Sequence, residues 1–196
     1  MQKVNYSDIV AVVMAGGRSK RMGQDKGLIQ YKNKAHRYYM ADMLKTVFSE
    51  VVISVPIDFV LPEKSEYSYV KDVVDDLGPL GGLYSLFKAF PDKSILIIAT
   101  DMPEVEVGHV TNLLENRDTD SVATCYKNSD GFVEPLFAIW ENSASRIIDG
   151  LIKENKLSMR MIIKNHKAKI IDIPDEKALL NINTEEEKDK YLGGNK

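Results

Sequence analysis

The length and composition of the chain are those of an ordinary folded protein. It has 196 residues, of which 44% are hydrophobic and 28% are charged, and these proportions exclude intrinsic disorder, collagen and a continuous coiled coil. The formal net charge of −3 provides no overall positive field, so neither nucleic acid nor an anionic membrane is expected as a partner. We expect residues 1–196 to form a single domain, because this length can bury one sizeable core.

Cysteine, histidine and hydropathy patterns bear on the compartment. The single cysteine, Cys125, cannot form an internal disulfide, and His36, His109 and His166 are too scattered for a structural zinc motif. The sequence contains no run of about 18 consecutive apolar residues, the length that a membrane-spanning helix needs. We therefore expect a cytoplasmic protein with neither an export signal nor a membrane anchor.

The first part of the chain alternates short β-branched runs with helical patterns. An apolar run over residues 9–14 predicts a strand, and a polar, glycine-bearing loop follows it to about residue 27. Apolar residues at helical spacing predict a helix over 37–49, and a second strand follows at 51–55. These elements make one βαβ unit, in which the first loop lies at the carboxyl edge of a parallel sheet.

The same alternation continues to the C-terminus. Further strands are predicted at 69–73, 94–99, 121–125, 132–140 and 169–173, and further helices at 80–90, 107–116, 144–154, 159–165 and from the capping-box pattern Thr184-Glu185-Glu186-Glu187 to about 192. Because helices and strands alternate, we expect the α/β class, with a three-layer α/β/α sandwich around a mostly parallel, mixed sheet.

The loop after the first strand concentrates positive charge in a net-acidic chain. Residues 14–27, MAGGRSKRMGQDKG, contain one acid, Asp25, beside glycines and the basic residues Arg18, Lys20, Arg21 and Lys26. Glycine lets backbone N–H groups approach an anion closely and basic side chains supply charge, so the pattern favours a polyphosphate cradle. The spacing excludes a Walker loop and a GxGxxG fingerprint, whereas composition alone also allows a solvated surface loop.

The same loop matches a known signature in order and spacing. The pattern Ala-Gly-Gly-x-x-x-Arg-Met-Gly-x-x-Lys is met by Ala15, Gly16, Gly17, Arg21, Met22, Gly23 and Lys26. The loop therefore resembles the signature of nucleotidyltransferases, and its ending Asp25-Lys26-Gly27 more closely resembles the molybdenum cofactor guanylyltransferases. This resemblance implies a Rossmann-like nucleotidyltransferase fold and an enzyme that transfers GMP from GTP to the terminal phosphate of the molybdenum–molybdopterin cofactor, with release of pyrophosphate.

The resemblance also implies roles and partners. Arg21 and Lys26 would be catalytic, because they would stabilise the charge that develops on the triphosphate. Mg²⁺ is the implied cofactor, GTP and the molybdopterin cofactor are the implied substrates, and proteins that deliver or accept the cofactor would make transient contacts. The nucleotide-binding residues implied in this loop are Met14, Ala15, Gly16, Gly17 and Lys26.

A further candidate, Asp101, follows the predicted buried strand at 94–99. The strand delivers Asp101, in the string Asp101-Met102-Pro103, to the same sheet edge as the first loop. One strand-end carboxylate is sufficient for Mg²⁺ when a nucleotide supplies further oxygens, although an aspartate here can also cap a helix. The resemblance favours a metal-binding, nucleotide-binding and catalytic role, since the family carries its magnesium-binding aspartate at this place.

A second glycine cluster, Gly78-Pro79-Leu80-Gly81-Gly82, follows Asp72 and the predicted strand at 69–73. By itself it can be a simple turn into a helix. It resembles a Gly-Pro-Leu-Ala/Gly-Gly segment of the family, which implies that Gly78 and Gly82 bind nucleotide and that Asp72 faces guanine. A carboxylate accepts from guanine N1–H and the exocyclic amine, a donor pair that adenine lacks. Asp75 and Asp76 are near enough in sequence to compete for this role.

Two strings nearer the C-terminus extend the resemblance. Asn181-Ile182-Asn183-Thr184 can be a helix start, but it resembles the family's Asn-x-Asn-Thr, which implies that Asn181 and Asn183 face the acceptor or the metal. Glu134-Pro135-Leu136-Phe137-Ala138 resembles a Pro-Leu-x-Ala segment, which implies that Pro135 lies on the acceptor side.

Three positions depart from the family pattern. Ser54 stands where an asparagine near the nucleotide is usual, Ala35 replaces a proline, and Phe132 replaces a basic residue. Base preference and acceptor specificity therefore stay open, and a cytidylyltransferase or another small-phosphate nucleotidyltransferase is the first alternative. A non-catalytic nucleotide-binding protein is the second.

Overall fold

The computed structural model of the protein describes residues 6–16, 26–154 and 158–194. The strands within these ranges are β1 (Ile9–Met14), β2 (Val51–Val55), β3 (Ser68–Lys71), β4 (Ser94–Ala99), β5 (Ala123–Lys127), β6 (Val133–Trp140) and β7 (Lys169–Asp172). The α-helices are α1 (His36–Lys45), α2 (Gly78–Ala89), α3 (Val107–Glu115), α4 (Ala144–Lys153), α5 (Met159–Asn165) and α6 (Glu185–Gly194), and 3₁₀ turns occupy Lys26–Leu28 and Glu176–Leu179. Within the described ranges, none of the helices is both long and apolar enough to cross a membrane.

The strands form one mixed sheet in the order β3-β2-β1-β4-β6-β5-β7. Neighbouring strands from β3 to β4 are parallel, β6 runs antiparallel to β4 and β5, and β7 is parallel to β5. Every residue of β1, β2 and β4 is buried. Burial on both faces is what uninterrupted β-branched runs require, because neither face of such a strand is polar enough to meet water.

Helices cover both faces of the sheet, which confirms the predicted α/β/α sandwich. Ile9, Ala11 and Val13 of β1 join one apolar cluster with α1 and α3, whereas the alternating residues of β1 join the other cluster with α2, α4 and α5. The alternation follows from the two-residue side-chain period of a strand. Because both faces of β1 carry apolar residues, the sheet needs a helical layer on each side.

Some element boundaries differ from those that the sequence predicts. The helix predicted over 37–49 ends at Lys45, where the Thr46 hydroxyl donates to the Met43 carbonyl at 2.6 Å and replaces a helical hydrogen bond. The strand predicted at 121–125 begins at Ala123, because Ser121 is part of a turn in which its hydroxyl donates to Asp118 at 2.7 Å. At both boundaries, a side-chain hydroxyl forms a hydrogen bond that competes with the regular backbone hydrogen bonds of the helix or strand.

A bulge interrupts β6 at the edge of the sheet that carries the site. The strand advances four residues, from Glu134 to Ala138, where β5 advances only one, from Tyr126 to Cys125. Pro135 has no N–H to donate to a ladder, and its carbonyl instead accepts from the indole N–H of Trp140 at 3.0 Å. The bulge therefore takes Pro135 and Leu136, which follow the paired Glu134, out of regular pairing, as bulges beside active sites commonly do.

Candidate active site

The candidate site lies at the carboxyl edge of the parallel strands. Backbone pairing continues beyond the strand ends, since Ala15 N–H donates to the Ser54 carbonyl at 2.9 Å and Thr100 N–H donates to the Met14 carbonyl at 3.2 Å. The first loop and the segment that carries Asp101 thus leave the sheet side by side. Of the predicted loop residues, Gly17 and Arg21 lie outside the described residues, as does the side chain of Lys26.

Asp72 lies between the first loop and α2. A Cβ built on Gly16 would be 3.7 Å from its Oδ2, and a Cβ built on Gly82 would be 3.5 Å from its Oδ1. The same Gly82 position is 3.1 Å from Met14 Cε and 3.6 Å from Ser54 Oγ. The structure therefore brings together the predicted nucleotide-binding residues of three separate segments, and it places the departure Ser54 among them.

The environment of Asp72 distinguishes it from the neighbouring aspartates. Asp75 and Asp76 are exposed, whereas Asp72 Oδ1 is buried and has no hydrogen-bond partner within the part of the chain that the structure describes. Burial, and secondarily the charge of Asp75, raise the pKa of Asp72 to about 6. A buried carboxylate oxygen costs free energy unless donors reach it, so a ligand with N–H groups would be favoured here.

Gly78 begins α2 because of its backbone conformation. Its φ of +56° lies in the left-handed region, which glycine adopts without the steric penalty that a Cβ brings. A Cβ at this position would meet no atom within 4 Å. The requirement for glycine at position 78 is therefore conformational, and a direct contact with nucleotide stays a prediction.

Ser85, which sequence reasoning missed, ties the Asp72 segment to α2. Its buried hydroxyl donates to the Gly81 carbonyl at 2.7 Å and accepts from the N–H of Val73 at 2.9 Å. Asp72 N–H itself donates to the Val55 carbonyl at 2.9 Å. A serine within an apolar helix is only a weak sequence signal, because a serine hydroxyl can always bond to its own helix.

Gly27, at the end of the signature loop, packs against a buried arginine that sequence reasoning also missed. A Cβ at Gly27 would lie 2.5 Å from Arg37 Nε, closer than any real contact. The Arg37 guanidinium in turn lies 5.5 Å from the centre of the Phe59 ring. The end of the loop therefore packs directly against α1, and only glycine at position 27 allows so close an approach.

Asp101 is joined to the C-terminal segment by a backbone hydrogen bond. Ile182 N–H donates to the Asp101 carbonyl at 2.8 Å, which holds Asn181 and Asn183 beside the end of β4. The predicted helix start is also present, because Glu187 Oε2 accepts from the N–H groups of Asn183 and Thr184 at 2.7 and 3.0 Å. The string Asn181-Ile182-Asn183-Thr184 can therefore both begin α6 and place its asparagines beside the end of β4.

Aromatic side chains from the segment before α1, from α1 and from α6 pack against one another. The rings of Tyr31 and His36 meet edge to face at 5.0 Å, and Tyr31 also meets Tyr191 of α6 at 5.5 Å. Burial lowers the pKa of His36 to about 4, and burial together with Asp101 raises the pKa of Tyr31 to about 12. Both rings are consequently neutral at physiological pH, and they pack α6 against α1.

A cleft of about 400 Å³ opens at Asp101. Its walls come from the start of α2, the end of β4, the β6 bulge, the start of α5 and the segment before α6. The lining residues are Pro79, Leu80, Asp101, Glu134, Pro135, Leu136, Ser158, Met159, Arg160, Asn181 and Asn183.

The cleft contains all the residues predicted for the acceptor side, Pro135, Asn181 and Asn183, together with Asp101. It also contains Arg160, which sequence reasoning missed. A lone arginine in a predicted helix is usually a solvated surface residue, so the sequence around Arg160 contains no signal that could have identified its place in the cleft.

The oxygen donors of the cleft are compatible with magnesium. No group of three or more His, Cys, Asp or Glu side chains placed to hold a metal occurs among the described residues. Asp101 instead shares the cleft with a second carboxylate, Glu134, and with the amides of Asn181 and Asn183. Mg²⁺ usually takes one or two carboxylates and fills its octahedron with phosphate oxygens and water, so this set fits the ion when a nucleotide is bound.

The two remaining departures, Ala35 and Phe132, lie in connecting segments. Ala35 precedes α1 with φ −54° and ψ 128°, a conformation that proline also adopts, so the backbone keeps the usual path. Phe132 is 64% exposed in the β5–β6 hairpin, where its N–H donates to the Asn128 side chain at 2.8 Å.

Asp72 and Asp101 both follow strands at the carboxyl edge of a mixed, mainly parallel sheet, and the chain represents the nucleotidyltransferase class of enzymes. The chain belongs to the family of MobA-like NTP transferase domains, whose model matches residues 11–170.

Several proteins that are similar in sequence or structure are named for molybdenum cofactor or molybdopterin-guanine dinucleotide biosynthesis. A molybdenum cofactor guanylyltransferase from Campylobacter jejuni is 24% identical over 190 residues, which cover 96% of this chain and 97% of that protein. A molybdenum cofactor biosynthesis bifunctional protein from Synechocystis is 33% identical over 135 residues, which cover 68% of this chain but only 39% of the relative. The crystal structure of molybdopterin-guanine dinucleotide biosynthesis protein A from Archaeoglobus fulgidus superposes with a TM-score of 0.76 at 19% identity, over 94% of this chain and 97% of the other. This last likeness shows that the fold is shared.

Proposed function

We propose that the protein transfers GMP from GTP to the terminal phosphate of the molybdenum–molybdopterin cofactor. The products are molybdopterin guanine dinucleotide and pyrophosphate. The observation that carries the proposal is that α2 borders two compartments at once: Gly82 lies against Asp72, and Pro79 and Leu80 line the cleft of Asp101. One compartment then takes the nucleotide and the other takes the acceptor, with the reacting phosphates meeting near Asp101.

Asp72 selects guanine in this proposal. Its ionised carboxylate accepts from N1–H and the exocyclic amine of guanine, which supply the donors that its buried Oδ1 lacks among the described residues. Adenine and cytosine do not present such a pair of adjacent N–H donors. A mismatched base would leave the carboxylate buried and unpaired, and the cost of that arrangement provides the selectivity.

The chemistry is an in-line displacement at the α-phosphorus. A terminal phosphate oxygen of the acceptor forms a new bond to this phosphorus while the bond to the bridging oxygen of the β-phosphate breaks, and pyrophosphate leaves with the electron pair. The acceptor phosphate is already largely ionised at neutral pH, because its second pKa is about 6, so no general base is needed. The protein therefore has to position two anions and neutralise their charge.

Charge neutralisation is assigned to loop cations and to the metal site. The backbone N–H groups of Gly16 and Gly17 orient the triphosphate, since the N–H of Ala15 already donates to the Ser54 carbonyl, and Arg21 and Lys26 stabilise the charge that develops on it. Asp101 would hold Mg²⁺ when the nucleotide is bound, and the ion would supply charge stabilisation at the phosphate oxygens.

The acceptor occupies the cleft. Arg160 donates to the acceptor phosphate as a fixed, always-charged fork, and Leu80, Leu136 and Met159 provide apolar walls for a planar ring system. A volume of about 400 Å³ lies within the range of small-molecule sites. The substrate assignment is supported by the names of the full-length relatives.

The test begins with nucleotide-induced thermal stabilisation in the presence of Mg²⁺, using GTP, CTP, ATP and UTP in parallel. We expect a shift with GTP alone, followed by pyrophosphate release when molybdopterin cofactor is added. A shift with CTP alone would favour the cytidylyltransferase alternative, and nucleotide binding without pyrophosphate release from any phosphate acceptor would favour a non-catalytic binder.

A further inference from the structure

Pro135 has a buried backbone carbonyl that the strand ladder does not use. It lies between Glu134 and Ala138, the residues of β6 that pair with β5 on either side of the bulge, and in the described part of the sheet it pairs with neither β4 nor β5. Pro135 is buried, and it also lines the cleft. A buried carbonyl outside the ladder needs a donor from elsewhere, because an unsatisfied backbone oxygen costs free energy.

Trp140 supplies this donor from the regular end of the same strand. Its indole N–H donates to the Pro135 carbonyl at 3.0 Å, and its side chain is fully buried. Trp140 itself pairs with Ile95 of β4 and Ala123 of β5. Since an indole has one N–H and no acceptor, this bond uses its whole hydrogen-bonding capacity. The bulge is therefore tied to a residue whose own place in the sheet is fixed.

The ring of Trp140 lies in the layer that supports the other walls of the cleft. It belongs to the apolar cluster on one face of the sheet, and Leu80 of α2 and Met159 of α5, which line the cleft, belong to the same cluster. The hydrogen bond thus directs the Pro135 carbonyl toward the face that α2 and α5 cover. Because the bulge and the first residues of these helices are walls of one cleft, the position of the bulge sets the shape of the cleft.

We propose that Trp140 is a positioning residue for the acceptor, and that its indole N–H holds the wall formed by Pro135 and Leu136 in the place where the acceptor packs. The inference rests on the proposed function, which puts the acceptor in this cleft. The groups around Asp72 come instead from the ends of β1 and β2 and from α2. Loss of the indole hydrogen bond should therefore weaken acceptor binding and spare nucleotide binding.

The test exploits the fact that the chain contains a single tryptophan. An analogue that is incorporated in place of tryptophan therefore changes position 140 alone. Trp140→benzothienylalanine keeps the bicyclic ring but has sulfur in place of the N–H, so it cannot donate to the Pro135 carbonyl. Trp140→fluorotryptophan keeps the N–H and is the matched control. Thermal melts of both proteins show whether each is folded.

The readout is the separation of the two KM values in the pyrophosphate-release assay. We expect the benzothienylalanine protein to have a KM for molybdopterin cofactor about tenfold higher than that of wild type, with KM for GTP and kcat unchanged. The fluorotryptophan protein should keep all three constants within about twofold of wild type, because its hydrogen bond is intact. A purely structural role would instead lower the melting temperature and change both KM values together.

A second measurement needs no substitution. The single indole N–H gives one resonance in the NMR spectrum of the wild-type protein. We expect this resonance to shift when molybdopterin cofactor is added and to stay in place when GTP alone is added, because only the acceptor contacts the wall that the indole holds.

Three results would overturn the inference while the proposed function stands: an unchanged KM for molybdopterin cofactor in the benzothienylalanine protein, a parallel rise in both KM values, or an indole resonance that does not respond to the cofactor. Wild-type protein that releases no pyrophosphate from GTP and molybdopterin cofactor would instead remove the proposed function, and the inference with it. The wild-type assay thus separates the two failures.

Discussion

The nucleotide side and the acceptor side of the site are built in different ways. The nucleotide side uses the ends of β1 and β3 and the first turns of α2, where glycines let backbone and Asp72 come close together. The acceptor side gathers side chains from a bulge, a short helix and the segment before α6 around Asp101. The contrast teaches that a site made of strand ends follows directly from sheet topology, whereas a cleft made of scattered side chains depends on how distant segments dock.

Asp101 stands between the two sides, and its loss should have the largest effect. We expect Asp101→Asn to lower pyrophosphate release on the order of 10³-fold, because the charge that holds the metal at the reacting phosphates is removed. Steady-state assays with saturating GTP and acceptor measure this. Turnover within tenfold of wild type, in a variant whose melting temperature is normal, would exclude Asp101 as the metal ligand.

On the nucleotide side, Asp72→Asn should reduce the preference for GTP over ATP by about 10²-fold. One of the two carboxylate oxygens that accept from the guanine N–H groups is then replaced by an amide NH₂, which cannot accept. Competitive binding of the two nucleotides measures the ratio. Asp76→Asn is the matched control, since Asp76 is exposed and has a positive φ that asparagine tolerates. An equal loss in both variants would show that local charge, and not base recognition, is responsible.

The same substitution has a consequence for stability. The raised pKa of Asp72 means that its protonated form is favoured in the folded state, so its contribution to stability is present below about pH 4 and is lost as pH rises through about 6. Asp72→Asn should therefore melt at a higher temperature than wild type at pH 8 and at the same temperature near pH 4.

On the acceptor side, Arg160→Ala should raise KM for the phosphate acceptor by about 30-fold while KM for GTP is unchanged, since a hydrogen bond to a charged group is lost. Lys164→Ala, a change to an exposed cation in the same helix α5, should affect neither constant. A rise in KM for GTP instead would place Arg160 on the nucleotide side.

A pH titration sharpens the comparison without mutation. Because Asp72 must be ionised to accept from guanine and its pKa is about 6, GTP affinity should fall about tenfold between pH 8 and pH 5. The affinity for ATP, measured by calorimetry over the same pH range, corrects for the titration of the nucleotide phosphates. A GTP-to-ATP affinity ratio that does not change with pH would contradict the assignment of Asp72.

The smallest effect is expected for Ser85→Ala, which removes the hydroxyl between Val73 N–H and the Gly81 carbonyl. We expect KM for GTP to rise about fivefold and the GTP-to-ATP preference to fall with it, because Asp72 is less well positioned. Thr111→Ala removes another hydroxyl that bonds within its own helix, α3, and should leave both quantities unchanged. A fall in melting temperature with no loss of preference would make Ser85 purely structural.

The sequence by itself determined the class of fold, the succession of strands and helices along the chain, and the strand-end positions of Asp72 and Asp101. It could do so because strand period, helix period and glycine motifs are local, and because parallel strands carry their carboxyl ends to one edge. It favoured Asp72 by resemblance but left Asp75 and Asp76 as competitors for the same role, and it gave no sign of Arg160, Ser85 or the contact of Gly27 with Arg37. Only the tertiary structure decided these, because burial, unpaired oxygens and close approaches are properties of what packs against a residue.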